Sequence, residues 1–180
     1  APNAGNSCVG TDINRNWPYV WVGPGSSTNP CSESYRGPSQ GSSPEVKGLY
    51  AYLNRLRDST GIKMYIDWHS YSQLFMTPYG YSCSTVTAKN AELQSLARGF
   101  ANAAKALYGT VFNTGPICNT IYQVNGDSVD YANDVSKADY TFTAELRDTG
   151  TYGFVLPPNQ IQPSVKEAWA GFAYLLDNMR

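Results

Sequence analysis

Two side chains stand out as reagents rather than as packing. The chain's single histidine, His69, follows an apolar run of strand length at residues 63–68 and opens a polar turn, Ser70-Tyr71-Ser72-Gln73. In open α/β sheets ligands collect at the carboxyl ends of strands, so an imidazole placed there serves either a ligand or the hydrogen bonds of its own loop. Glu145 lies near the end of an aromatic, otherwise uncharged segment, YTFTAEL, at residues 140–146. An acid in such a run is costly unless it is paired or catalytic, and Arg147 is at hand for the first role. A third group, Asn14-Arg15-Asn16-Trp17, follows an apolar, strand-like stretch at residues 9–13. A guanidinium flanked by amides is equipped to grip a carboxylate through its planar fork of donors, and equally to line a surface loop. No G-x-S-x-G nucleophile elbow and no G-x-x-x-x-G-K-[ST] phosphate loop occurs.

These groups need elements to hold them. Ser43-Pro44-Glu45 predicts a helix start, with a capping hydroxyl, proline in the first turn and an acid at the positive dipole end. Val46, Leu49, Tyr50, Leu53 and Leu56 follow at helical spacing, and Gly61 stops the run. Residues 74–77 suit a short strand before the turn Pro78-Tyr79-Gly80-Tyr81. Residues 90–108 predict a helix with Leu93, Leu96, Ala97, Phe100, Ala104 and Leu107 on one face and Gly109 as its stop. A short helix is expected at 127–133 and a strand at 140–146. The last helix, 160–179, is expected to turn Ile161, Val165, Trp169, Phe172 and Leu176 inward. Strands alternating with long helices indicate an α/β fold with a largely parallel sheet, and no repeat or linker divides the chain.

The 180 residues suffice for one domain with a real core. With 42% hydrophobic and 15% charged residues the chain is globular, and its net charge of −1 lacks the basic stripe that nucleic acid would require. No apolar run has the length of a membrane span, and no basic-then-apolar leader stands at residue 1. The four cysteines, 8, 31, 83 and 118, include no C-x-x-C pair, and one histidine cannot complete a Cys/His zinc site. An even count in an aromatic-rich, lysine-poor chain favours two disulfides and a secreted protein, with three connectivities open. The sequential pairing would close two loops of moderate length.

The segments Cys8-Val9-Gly10-Thr11-Asp12-Ile13-Asn14-Arg15-Asn16-Trp17, Ile66-Asp67-Trp68-His69-Ser70-Tyr71-Ser72-Gln73 and Glu145-Leu146-Arg147-Asp148-Thr149-Gly150 resemble the pancreatic-type zinc carboxypeptidases. So do Pro78-Tyr79-Gly80-Tyr81, Thr120-Ile121-Tyr122-Gln123 and Tyr152-Gly153-Phe154-Val155-Leu156-Pro157, all in the family's order and spacing. The resemblance implies that residues 1–180 are the C-terminal part of one catalytic domain. Its fold would be α/β/α, with a mixed, largely parallel twisted sheet flanked by helices and incomplete at the N-terminus. It implies a secreted exopeptidase that binds one zinc ion and releases C-terminal residues from peptides and proteins, without nucleic-acid or membrane partners.

In that resemblance His69 matches one zinc ligand, while the family's upstream His-x-x-Glu pair has no counterpart here. Glu145 matches the carboxylate that takes a proton from zinc-bound water and returns it to the leaving amine. Asn14, Arg15 and Tyr122 match the residues that hold the substrate's terminal carboxylate, Tyr122 on a loop that closes over it. Ser70 and Tyr71 match the cleft lining, and Val129 the floor of an apolar pocket for the terminal side chain. Asp127 departs from the small residue expected there. Asp12 matches a carboxylate that orients the upstream zinc-binding histidine, and an arginine that would polarise the scissile carbonyl is expected just before Ala1. Cys8 and Cys31 match a family disulfide, and Cys83 and Cys118 would form an extra one. Cis peptide bonds are expected at Ser70–Tyr71, Pro78–Tyr79 and Arg147–Asp148. The missing ligands would come from an N-terminal segment of the same domain, the chain being one half of a nicked domain whose other half stays bound, a truncated product, or a piece cut from the longer domain. Two other readings compete: a non-catalytic carboxylate-binding module on the same fold, and an amidohydrolase of small acyl-amino acids. The Tyr122 and cleft motifs argue against the latter.

Overall fold

The computed structural model describes residues 7–180, and they form a mixed α/β fold. In chain order the elements are α1 (Pro44–Arg57), β1 (Met64–Ser70), β2 (Leu74–Thr77), α2 (Asn90–Tyr108), β3 (Asn113–Pro116), α3 (Ile117–Thr120), α4 (Ser128–Asp134), β4 (Tyr140–Leu146) and α5 (Ile161–Asn178). The four strands make one mixed sheet in the order β1-β4-β2-β3. β2 runs parallel to β3 and antiparallel to β4, with Leu74 opposite Glu145 and Met76 opposite Thr143.

By contacts the chain divides into two compact units. The first comprises the described part of residues 1–65 with Pro78–Thr85 and Ile117–Thr141; the second comprises Ile66–Thr77, Val86–Pro116 and Phe142–Arg180. In the second unit Phe75 and Phe100 stack with ring centres 3.7 Å apart, and Phe142 and Phe112 complete the cluster. Such rings bury large apolar areas and prefer offset or edge contacts. Helices α2 and α5 approach closely because glycines lie between them. A Cβ built on Gly99 would fall 1.8 Å from the Tyr174 ring, and one on Gly171 2.3 Å from Phe100.

That close approach overturns the expected inner face of α5. Ile161, Val165, Trp169 and Leu176 are exposed, whereas Ser164, Glu167, Gly171 and Leu175 are buried. Small residues face α2 because bulk would separate the helices, and Glu167 turns inward because an arginine meets it there. Val165, Trp169 and Phe172 of the expected stripe instead line an open groove with Trp68 and Leu146. Leu107 of α2, also expected inside, is half-exposed.

The first unit is built differently. Its apolar cluster is Trp17, Val46, Leu53, Tyr131 and Ala132, bordered by Tyr19, Tyr50, Ile62, Tyr65 and Val135. Around it polar side chains bond to backbone. Asn16, fully buried, donates to the carbonyls of Arg36 and Ser39 and accepts from the Ser43 N–H. Asp130 accepts from the Gly80 and Tyr81 N–H groups. Burial, then the neighbouring Asp127 carboxylate, pushes the Asp130 carboxyl well above the usual range. Disulfides Cys8–Cys31 and Cys83–Cys118 close this unit in the sequential pairing.

Two local expectations change. Residues 9–13 form no strand: Asp12 accepts the Asn14 N–H and starts a single 3-10 turn, Ile13–Arg15. The Ser43 hydroxyl does not cap α1, because it bonds the Glu45 carboxylate instead. The three expected cis peptide bonds are all present.

Candidate functional site

The candidate residues fall into two sets, one in each unit. In the second unit His69 lies within β1 rather than beyond it, one residue before the strand ends. Alternation along a strand puts Asp67 and His69 on the same face, and Asp67 Oδ2 lies 2.9 Å from His69 Nε2. A carboxylate bonded to one ring nitrogen fixes the tautomer and aims the other. Sequence reasoning passed over Asp67, although its i, i+2 spacing from the histidine on a strand was the available signal. Ser70 is exposed, and Tyr71 packs edge-on against Phe154 at 5.0 Å.

Glu145 sits on β4 opposite Leu74, partly buried, and its Oε2 has no hydrogen-bond partner among the described residues. Burial pushes its carboxyl up to about 7; the His69 imidazole pulls it down and the Asp67 carboxylate pushes it up. Arg147 is not its partner. The guanidinium forks onto Glu167 instead, Nε to Oε2 at 2.8 Å and Nη2 to Oε1 at 2.5 Å. The choice left open by the sequence is thereby settled against a local Glu145–Arg147 pair.

In the first unit the 3-10 turn presents Asn14 and Arg15 side by side. Asn14 Oδ1 accepts the N–H of Ser128, which ties the turn to the start of α4. Arg15 Nη1 donates to the Asn14 carbonyl at 2.9 Å and lies 3.7 Å from Asp12 Oδ2. Its Nε is buried with no hydrogen-bond partner among the described residues. The guanidinium carbon lies 5.9 Å from the centre of the Tyr122 ring, which is exposed. Val129 is fully buried in the first turn of α4. Asp127 caps that helix, its Oδ1 accepting the Asp130 N–H at 2.8 Å, so this carboxylate is committed to the backbone. Gly126 makes room for the turn. It has φ +72°, and a Cβ there would lie 2.5 Å from the Arg15 carbonyl oxygen.

A family model described as zinc carboxypeptidase matches residues 1–171. The chain belongs to that family. It is 57% identical over 175 residues to metallocarboxypeptidase A of Trichophyton rubrum, covering 97% of this chain and 42% of that protein. With carboxypeptidase A2 of Mus musculus it shares 46% over 177 residues, covering 98% of this chain and 41% of the relative. Among solved structures, bovine thrombin-activatable fibrinolysis inhibitor in complex with tick carboxypeptidase inhibitor superposes with a TM-score of 0.91 at 37% identity. That match covers 99% of this chain and 60% of the other. Carboxypeptidase A of Helicoverpa armigera gives 0.86 at 27%, over 97% and 43%. The chain thus spans well under half the length of the curated relatives it matches.

Zinc carboxypeptidases imply a zinc ion. Among the described residues, however, no group of three or more His, Cys, Asp or Glu side chains could hold a metal. A catalytic zinc takes three protein ligands, and affinity comes from several held together. His69 offers one imidazole, so the described residues do not by themselves fit the ion.

Proposed function

We propose that this chain carries the base and the substrate grip of a zinc-dependent exopeptidase that releases C-terminal residues. The observation that carries the reading is the Glu145 carboxyl, partly buried at the end of a strand and pushed up to about 7. One of its oxygens is left unpartnered among the described residues. A carboxylate so placed takes a proton from water near neutral pH and returns it to a departing amine. Arg15 supports the second half of the reading. Its half-engaged guanidinium beside Asn14 and Tyr122 suits a free carboxylate, the group that distinguishes a chain end from an internal peptide bond.

In this reading Asn14 and Tyr122 share the carboxylate with Arg15, while Ser70 and Tyr71 line the cleft. Val129 with its apolar surroundings favours an apolar or aromatic terminal side chain. Asp127 does not oppose that preference while its carboxylate caps α4. His69 is the one zinc ligand assigned to this chain, and Asp67 aims it. The remaining ligands belong to the part of the relatives that this chain does not span. Asp12, assigned to a histidine of that part, meanwhile lies beside Arg15. Two disulfides support a secreted protein, and no helix among the described residues is long and apolar enough to cross a membrane.

The test is hydrolysis by the complete domain of an N-blocked dipeptide ending in Phe, against the same dipeptide amidated at its C-terminus. The free acid is expected to be cleaved, the amide not, and a chelator to abolish the reaction. No cleavage of the free acid, with the carboxylate still bound, would leave a binding module in its place.

A further inference from the structure

We propose that the buried ion pair between Arg147 and Glu167 is a positioning device for Glu145, holding the end of its strand so that the carboxylate stays aimed. The inference rests on the reading of Glu145 as general base. With Oε2 unpartnered among the described residues, backbone placement must do much of what side-chain hydrogen bonds do elsewhere. That placement is fixed on both sides of Leu146. The Leu146 carbonyl accepts the N–H groups of Ser72 and Gln73, each at 3.1 Å, from the turn that follows His69. Beyond it the Arg147 guanidinium is held through all three nitrogens: Nε and Nη2 on Glu167, Nη2 also on Thr110 Oγ1 at 2.9 Å, and Nη1 on Gln160 Oε1 at 3.3 Å. The Thr110 hydroxyl donates to Glu167 as well.

Two features separate this pair from a simple stabiliser. Glu167 is fully buried on a helix face otherwise made of small or apolar residues. Well-packed apolar residues of similar volume usually stabilise at least as well as a buried ion pair, so stability alone does not call for one. Nor does the pair act through its field. Burial, His69 and Asp67 account for the Glu145 shift, and neither Arg147 nor Glu167 is among its causes. What the fork supplies is direction, because a planar bidentate contact fixes orientation where a point charge does not.

The experiment replaces the pair by apolar residues, Arg147→Met with Glu167→Leu, in the complete domain. If the pair positions Glu145, the double variant keeps its Tm, loses about tenfold to a hundredfold in kcat with KM unchanged, and exchanges the Ser72 and Gln73 amides faster. Arg147→Lys, which keeps the charge and loses the fork, falls between. Wild-type kcat and wild-type exchange in a folded double variant would overturn the proposal. Should the double variant not fold, Glu167→Gln carries the same comparison, since the amide keeps one acceptor for Arg147. A wild-type domain without hydrolytic activity would instead refute the proposed function, and the exchange measurement would still decide the clamp.

Discussion

Where the unit that carries Glu145 centres on phenyl rings and sets its one fully buried carboxylate, Glu167, against an arginine, the unit that carries Arg15 buries carboxylates and amides against its own backbone. Phe75, Phe100, Phe112 and Phe142 pack between strands and helices, a core that sheet and helix periodicity can build. The other unit has long irregular stretches, so Asn16, Asn125 and Asp130 bond the backbone that no ladder satisfies, and two disulfides close it. The difference follows what each unit holds. Glu145 and His69 stand on strands, where position comes with the sheet. Asn14, Arg15 and Tyr122 stand on loops, where position has to be built from individual hydrogen bonds.

Substitutions that attack each kind of support should therefore separate the units. The largest effect is expected from Phe100→Ala, which empties the centre of the aromatic cluster and should cost about 3–5 kcal/mol in chemical denaturation. Amide protection should fall first in α2 and β2, and an effect confined to residues 7–65 would contradict the division. Replacing Cys83 and Cys118 together by Ser opens a loop with a sequence separation of 35 and should cost about 3–4 kcal/mol. Here exchange should quicken around residues 78–85 and 117–125 while the phenyl cluster stays protected.

A smaller loss, about 1–3 kcal/mol, is expected for Asp130→Ala, which strands the Gly80 and Tyr81 N–H groups. Alkaline pH provides the mildest probe. Burial, and for Tyr19 and Tyr79 the hydrogen-bonded Asp134 carboxylate, pushes the Tyr19, Tyr79, Tyr81 and Tyr131 phenols upward. The folded state keeps protons that the unfolded chain releases near pH 10, so their contribution is complete below about pH 10 and is lost as pH rises beyond it. Tyr79→Phe removes the bond to Asp134, should cost about 1 kcal/mol at neutral pH and should flatten the decline measured between pH 9 and 12.

The same contrast explains what could be read from the sequence. Residues 90–108, 74–77 and 140–146 were expected as the elements they form, the first from its helical spacing and the other two as strand-length runs, 74–77 ahead of a turn and 140–146 rich in β-formers. His69 was visible because it follows an apolar run and opens a polar turn, and Glu145 because it interrupts an otherwise uncharged segment. Their supports were not. Glu167 lies 20 residues from Arg147, on a helix whose apolar pattern pointed to the opposite face. Glycine and serine turned inward on α5 because α2 comes close, a fact about two helices that neither sequence contains alone. Likewise the Asp12 side chain converts an apparent strand into a turn through one local bond.

The division of labour itself is most directly tested by steady-state kinetics of the complete domain on a blocked dipeptide with a free C-terminus. Glu145→Gln should lower kcat by about 10²–10⁴ with KM nearly unchanged. Arg15→Ala should raise KM by roughly 10- to 100-fold through the lost charged hydrogen bonds, and should leave the C-terminal amide as poor a substrate as before. A Glu145→Gln enzyme with wild-type kcat, or an Arg15→Ala enzyme with wild-type KM for the free acid, would contradict the account.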